Sequence, residues 1–319
     1  MRDVGLDYLK LIMSIMVVGI HVGFLSYHDH LLSSVFAQGL FRIAVPVFFI
    51  INGFYLYETF VNNKESKVFS YLLGLFLIWQ FVYSYFYIGL AAENFGSFLL
   101  TFLMGYNHLW YISALIVGVV FVRFVSGFST RRLTTIALCL FVVGCFMQYG
   151  DVYGFIPFES GYLYYRNALF MAFPFLIIGF LFRRFEKQGG QLFQVTWLHL
   201  VVACALIMLE SVLNFQYHGE IKGYDIPFGL IVTAPIVFLF FYQKFPKRQS
   251  TLSKDIATYS TGIYLIHPWF NYFIHTQNMP HGTLTKFLLS SCLSALTVYL
   301  FLLCQKTIRS FANTQEVAK

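Results

Sequence analysis

Along the chain, apolar runs of about 17 to 25 residues alternate with short clusters of basic and turn residues, and that run length is what an α-helix needs to cross a hydrocarbon core. Ten runs are read: Val4 to Leu25, Val35 to Tyr57, Val68 to Leu90, His108 to Val125, Leu133 to Tyr149, Asn167 to Phe182, Thr196 to Phe215, Ile226 to Tyr242, Ile256 to Ile274 and Phe287 to Thr307. Phe95 to Met104 is apolar but too short to span, and is expected to lie along the interface or to re-enter. Asn62, Asn63 and Gly189-Gly190 mark connections on one side, and Gly150, Gly154 and Pro157 the longest connection on the other. The pattern predicts an all-α integral membrane protein, a bundle of about ten transmembrane helices. It is expected to form one domain over residues 1–319, with no fixed-period repeat, charged linker or separate soluble domain. Arg2 ahead of an apolar stretch imitates a signal peptide. Asp3, Asp7 and Lys10 interrupt that start, however, and Val22 to Tyr27 offers no small-x-small cleavage site, so the segment is kept as the first span.

Composition agrees with this reading. Of 319 residues, 58% are hydrophobic and only 11% charged, too few to coat a soluble fold or to sustain a disordered chain. The net charge of +7 is spread in small clusters rather than gathered on one face, which excludes nucleic acid as a partner. Placed on the ten spans, the clusters alternate. With the N-terminus inside, 21 basic residues leave only Arg42, within the second span, and Arg166, Lys222 and Lys286, on the outside, away from the cytoplasmic face. Both termini are therefore expected in the cytoplasm. The five cysteines lie in apolar runs without metal-ligand spacing and read as small buried hydrophobes; no metal site is expected.

Ionisable side chains at membrane depth are costly and carry the functional signal. Lys10 and His21 are eleven residues apart, about 20° from the same direction on a helix and separated by about 16.5 Å, so they share a face with Lys10 near the inner end. A snorkelling lysine and a packing histidine are the structural alternative. Arg42 stays charged and must find an anion or a wet cavity, while Pro46 frees a carbonyl and Gly53 permits close helix approach. His108, Trp110 and Tyr111 open the fourth span at its outer end, where an aromatic belt accounts for the two rings. Arg166 sits at an outer boundary. Glu210 lies in the outer half of the seventh span and is expected to pair with one of the arginines. His267-Pro268 interrupts the ninth. The outer halves of several spans thus converge on one chamber rich in histidine, with Lys10 at an inner mouth that attracts anions.

Asp7-Tyr8-Leu9-Lys10 through His21-Val22, followed by Phe41-Arg42 through Val45-Pro46-Val47-Phe48-Phe49-Ile50-Ile51-Asn52-Gly53-Phe54, resembles the bacterial acyltransferase-three family of integral membrane O-acyltransferases. His108-Leu109-Trp110-Tyr111, Arg166-Asn167 with Phe173-Pro174-Phe175 and Gly179, and Tyr259-Ser260 through Tyr264-Leu265-Ile266-His267-Pro268 continue the resemblance in order, over nearly the whole chain. It implies Lys10 and His21 as the family's basic residue and histidine. Lys10 stands where arginine is usual, giving a point charge in place of a fork, and Asn52 where serine is common. It further implies acetyl transfer from acetyl-CoA, with no permanently bound cofactor, to sugars of surface polysaccharides or their lipid-linked precursors. The implied type is stand-alone, in the bacterial inner membrane. Expected roles are His21, Arg42 and His267 in catalysis, Lys10 in donor binding, and Asn52, His108, Trp110, Tyr111, Arg166 and Glu210 in acceptor binding or support.

The residues suit that chemistry. Neutral imidazole can take the proton of a sugar hydroxyl as it attacks a thioester, and Arg42 or a polar neighbour can meet the oxyanion. No Gly-x-Ser-x-Gly elbow occurs, which disfavours a serine acyl-enzyme; direct transfer and an acyl-histidine are both open. The rival classes are a multi-span transporter of a glycan or acyl donor and a non-catalytic assembly partner.

Overall fold

The computed structural model describes residues 3–156, 161–245 and 251–317, and every regular element among them is helical. Arg2 and Pro157, and the basic residues Lys247, Arg248 and Lys319 that count toward the cytoplasmic clusters, lie outside the described residues. The elements that position the site are α1 (Val4–Val22), α2 (Ala44–Val61), α3 (Glu65–Tyr83), α4 (Phe95–Met104), α5 (Trp110–Val125), α6 (Thr130–Val152), α7 (Phe173–Lys187), α8 (Trp197–His218), α9 (Leu230–Lys244), α10 (Thr251–Thr276) and α11 (Leu284–Val317).

Each of the ten expected spans falls largely on helix, and among the described residues eight helical segments are long and apolar enough to cross a membrane. Of the other two, α9 has 15 residues, and α10 is long enough but polar, carrying His267, Asn271 and His275. The second span is not one regular helix. Residues Ser34–Gly39 form a π-helix and Leu40–Ile43 a 3-10 turn before α2 begins. Pro46 has no N–H for the Arg42 carbonyl four residues back, so regular α geometry starts around it rather than running through. α4 is a short exposed helix, capped by Asn94 Oδ1 accepting from Ser97 N (3.0 Å). Gly150 falls within α6 rather than in a loop, whereas Gly154, just beyond, takes a left-handed turn (φ 77°).

The bundle is drawn together by small residues. A Cβ on Gly53 of α2 would lie 2.0 Å from the Leu176 carbonyl oxygen of α7, and one on Gly179 of α7 would lie 1.9 Å from that of Ile50. The two backbones therefore touch, as helices do where no hydrophobic force separates protein from lipid. α1 packs against α10, and α10 against α11. Of the cysteines, Cys145 is buried, but Cys139, Cys292 and Cys304 face outward, correcting the expectation for them. An outer face turned to lipid is as apolar as a core, so apolar sequence context does not separate the two.

The basic connections meet at one end. There Lys10 lies over the Tyr55 ring (5.9 Å), Glu58 pairs with Arg183 and Lys187 (2.8 Å each), Glu65 with Arg123 (3.3 Å), and Asp255 with Lys306 (3.4 Å). His21, Arg42, His108, Arg166 and Lys286 lie at the opposite ends of their helices.

Candidate active site

Three imidazoles from three helical segments meet near the His21 end of α1. The His21 ring centroid lies 5.1 Å from that of His267 and 6.3 Å from that of His108, and His108 and His267 are 5.3 Å apart. His267 and His108 are buried, while His21 is half-buried. Tyr83, Tyr264 and Trp269 surround them, with the Tyr83 and Tyr264 rings 5.1 and 5.2 Å from His108.

The His267-Pro268 pair explains how one imidazole is oriented. Pro268 cannot donate to the Tyr264 carbonyl, the acceptor four residues earlier in α10. His267 Nδ1–H takes that place, donating to Tyr264 O (2.8 Å) and lying 3.1 Å from Ile263 O. This fixes the tautomer and leaves Nε2 as a lone-pair acceptor, buried without a partner. Both nitrogens of His108 also lack a well-formed hydrogen bond; the nearby Leu265 carbonyl is taken by Tyr83 Oη (2.7 Å). Unpaired buried nitrogens cost about 1–3 kcal/mol each, a cost recovered when a polar reactant engages them.

Two cavities lie beside this cluster. One of about 340 Å³ runs from Lys10 past Asn52, Tyr111 and Ser260 to Tyr264. The other, about 350 Å³, opens from His21 and Tyr83 to Asn271, His281 and Lys286. A neighbouring space of about 560 Å³ lies between α4 and the Trp110–Arg166 wall and shares Phe86, Tyr106 and Asn107 with the second. Tyr264 lines the first cavity and His21 the second; between them the rings of His108 and His267 form a partition, with His108 5.2 Å from Tyr264 and His267 5.1 Å from His21.

The site residues expected from the sequence divide between these places. Lys10 lines the first cavity, where its Nζ is 3.1 Å from the buried Asp7 carboxylate. Asn52 and Tyr111 lie in the same cavity, with Asn52 Nδ2 donating to Tyr111 Oη and Phe48 O (2.8 Å each), so they face the Lys10 side. Tyr111 is buried against Phe49 (4.8 Å) rather than set in an interfacial belt, a correction that follows from its inward helix face. Trp110 does line the outer space, with the Arg166 guanidinium 5.1 Å from its ring.

Arg42 and Arg166 share an anion that the sequence reading did not single out. Arg42 donates to Asp225 Oδ1 and to Gln38 Oε1, and Arg166 Nη1 is 3.5 Å from Asp225 Oδ2. Burial alone would raise the Asp225 carboxyl, but Arg166 and Arg42 outweigh it and hold it below its ordinary range. Gln148 Oε1 fixes the loop by accepting from Asp225 N and Ile226 N (2.7 Å each). Glu210, expected to pair with an arginine, does not. It accepts from Tyr149 Oη and from the N–H groups of Phe228 and Gly229 (2.7 Å each), capping the start of α9, where free N–H groups and the helix dipole favour a carboxylate. Among the described residues, no group of three His, Cys, Asp or Glu side chains is placed to hold a metal ion.

Comparison with known proteins follows the same outline. The family model described as "Acyltransferase domain" matches residues 3–304. An "Amino-acid racemase" of Enterococcus faecalis is 26% identical over 292 residues, covering 75% of this chain and 41% of the relative. A "Serine/alanine racemase" of Enterococcus gallinarum is 25% identical over 298 residues, covering 84% and 41%. The chain thus spans less than half the length of these relatives. No solved structure matches.

Proposed function

The chain belongs to the acyltransferase-3 family of membrane acyltransferases, and from that premise we propose that it moves an acetyl group from acetyl-CoA, entering at the Lys10 end, to a hydroxyl of a surface glycan or its lipid-linked precursor at the His21 end. The observation that carries this reading is the set of three close imidazoles standing between two cavities, one lined by Lys10 and Tyr264 and the other by His21. Lys10 and His21 are separated by about 16.5 Å along α1, a reach comparable to a pantetheine arm. CoA phosphates held at the basic end would leave the thioester at the partition.

In this account His21, which alone of the three opens into the second cavity, takes the proton as the sugar oxygen attacks the thioester carbonyl. The carbon–sulfur bond breaks, and the departing thiolate takes up a proton as CoA. His267, with its tautomer fixed and Nε2 bare, supports this proton transfer from inside the partition, and His108 completes it. Arg42 spends both Nη groups on Asp225 and Gln38, while its buried Nε–H has no partner among the described residues and is the donor left for a developing oxyanion. The Lys10 end is the cytoplasmic one on this reading, since the basic connections gather there. The racemase names of the relatives supply no acyl acceptor; the glycan assignment rests on family resemblance and on a second cavity rich in hydrogen-bonding groups.

The test is transfer of radiolabel from acetyl-CoA by the purified full chain in proteoliposomes supplied with lipid-linked oligosaccharide. Label covalently attached to the saccharide supports the proposal. Uptake of label without a covalent product would replace it with a transporter.

A further inference from the structure

The second cavity, which His21 lines, also holds a lysine that has no carboxylate partner among the described residues. Lys286 lies in the first turn of α11, its backbone N–H donating to Thr283 Oγ1 (3.1 Å), and its side chain lines the cavity while the residue is only 3% exposed. Two effects make this position unfavourable for a cation. Burial strips its water, and the helix N-terminus places positive potential where anions are normally favoured. The other cations drawn into the bundle each have a carboxylate partner: Lys10 has Asp7, Arg42 and Arg166 share Asp225, and Arg183 has Glu58 and Glu186. Among the described residues, no carboxylate pairs with Lys286. Beside it, Asn271 Oδ1 is buried with no hydrogen-bond partner, and His281 stands at the rim.

We propose that Lys286 binds an anionic group of the acyl acceptor, a phosphate or carboxylate carried by the sugar substrate, with Asn271 Oδ1 accepting a sugar hydroxyl beside it. This rests on the acyl-transfer reading and narrows its substrate to an anionic acceptor. The donor is not the ligand here, because its phosphates belong to the Lys10 end of the other cavity. Anchoring the anion in the cavity that His21 also lines holds the acceptor hydroxyl within reach of that imidazole, so that an encounter becomes a positioned reaction. Arg42 and Arg166 already share the Asp225 carboxylate, and neither lines this cavity, whereas Lys286 does.

Equilibrium binding to the purified full chain in nanodiscs tests this with four probes: inorganic pyrophosphate, a short-chain polyprenyl phosphate, glucuronate and, as neutral control, glucose. Wild type is expected to bind at least one anion, and Lys286→Gln to bind it about 10- to 100-fold more weakly, the range for a lost hydrogen bond to a charged group. Lys286→Arg should keep most of the affinity, and acetyl-CoA affinity should be unchanged throughout. Tighter binding of polyprenyl phosphate than of glucuronate identifies a lipid-linked phosphate, and the reverse identifies a glycan carboxylate. Lys286→Met, which removes a buried unpaired charge, should melt no lower than wild type, so lost binding is not lost folding. Equal anion affinity in wild type and Lys286→Gln, no anion binding by wild type, or loss of acetyl-CoA affinity instead would overturn the proposal. If wild type transfers no acetyl group yet binds anions through Lys286, the anion site stands and the acyl-transfer reading falls.

Discussion

Asp225→Asn should be among the most destabilising single changes at the His21 end. The carboxylate lies between two guanidiniums, with the Asp225 and Arg42 side chains each 12% exposed and that of Arg166 24%. Removing one partner of a buried pair typically costs about 3–5 kcal/mol, because the remaining charge stays desolvated. Residual water access at Arg166 places the expectation near the lower end, about 3 kcal/mol. Thermal unfolding in detergent, followed by loss of tertiary signal, reads this cost, and a double-mutant cycle with Arg42→Gln isolates the pair. The double variant should be less destabilised than the sum of the singles by more than about 1 kcal/mol. The acid limb gives a second reading. The native Asp225 carboxyl titrates below its ordinary 3.8, so its stabilisation is complete above that value and disappears as pH falls through the lower native one. Wild type should therefore lose stability below about pH 4 in part through this group, and Asp225→Asn should lack that component. An Asp225→Asn protein within about 0.5 kcal/mol of wild type, with no coupling to Arg42, would refute the reasoning.

Other substitutions probe the remaining parts of the account. Restoring the N–H with Pro268→Ala lets the backbone compete for Tyr264 O, so activity should fall about tenfold or more while α10 stays folded; His267→Asn, which keeps a donor near Nδ1 but removes Nε2, should do at least as much harm, and normal turnover in both would release His267 from any role. Lys10→Ala should raise the apparent KM for acetyl-CoA about 10- to 100-fold and Lys10→Arg should restore it, whereas unchanged donor affinity would reject a phosphate contact. Gly53→Ala forces a methyl group to within 2.0 Å of Leu176 O and should cost about 1–3 kcal/mol or the folded protein, while Gly74→Ala on the open face of α3 should be neutral or slightly stabilising; equal melting of the two would contradict the close crossing.

The helices were legible because lipid imposes a simple rule: every crossing segment must be apolar over its length and satisfy its own backbone. For the same reason α10 was readable as a helix despite its polar face, and the shared face of Lys10 and His21 followed from helical period alone. What escaped the sequence depends on distant pairing. Asp225 is 183 residues from Arg42, and nothing local distinguishes it from a solvated loop acid. Glu210 was the more conspicuous carboxylate, yet it is committed to the N-terminus of α9, which cannot be known before the turn at Phe228 and Gly229 is seen. Tyr111 and the outward cysteines failed through a common ambiguity, since in a bilayer apolar neighbours do not tell a protein-facing residue from a lipid-facing one. Lys286 was visible as an outside cation, but its burial at a helix start without an acid is a three-dimensional fact. His267 is an intermediate case: the His-Pro dipeptide announced a break, and the freed carbonyl that orients the imidazole needed the fold.

The central claim is that acetyl groups cross from donor to acceptor at the histidine cluster, with His21 taking the hydroxyl proton. It is tested most directly by single-turnover transfer of radiolabelled acetyl from acetyl-CoA to lipid-linked oligosaccharide, comparing wild type with His21→Ala at equal amounts of folded protein and with donor binding measured alongside. The account predicts a loss of about 10²- to 10⁴-fold in transfer, the usual range for general-base catalysis, with acetyl-CoA still bound. Near-normal transfer by His21→Ala would contradict it.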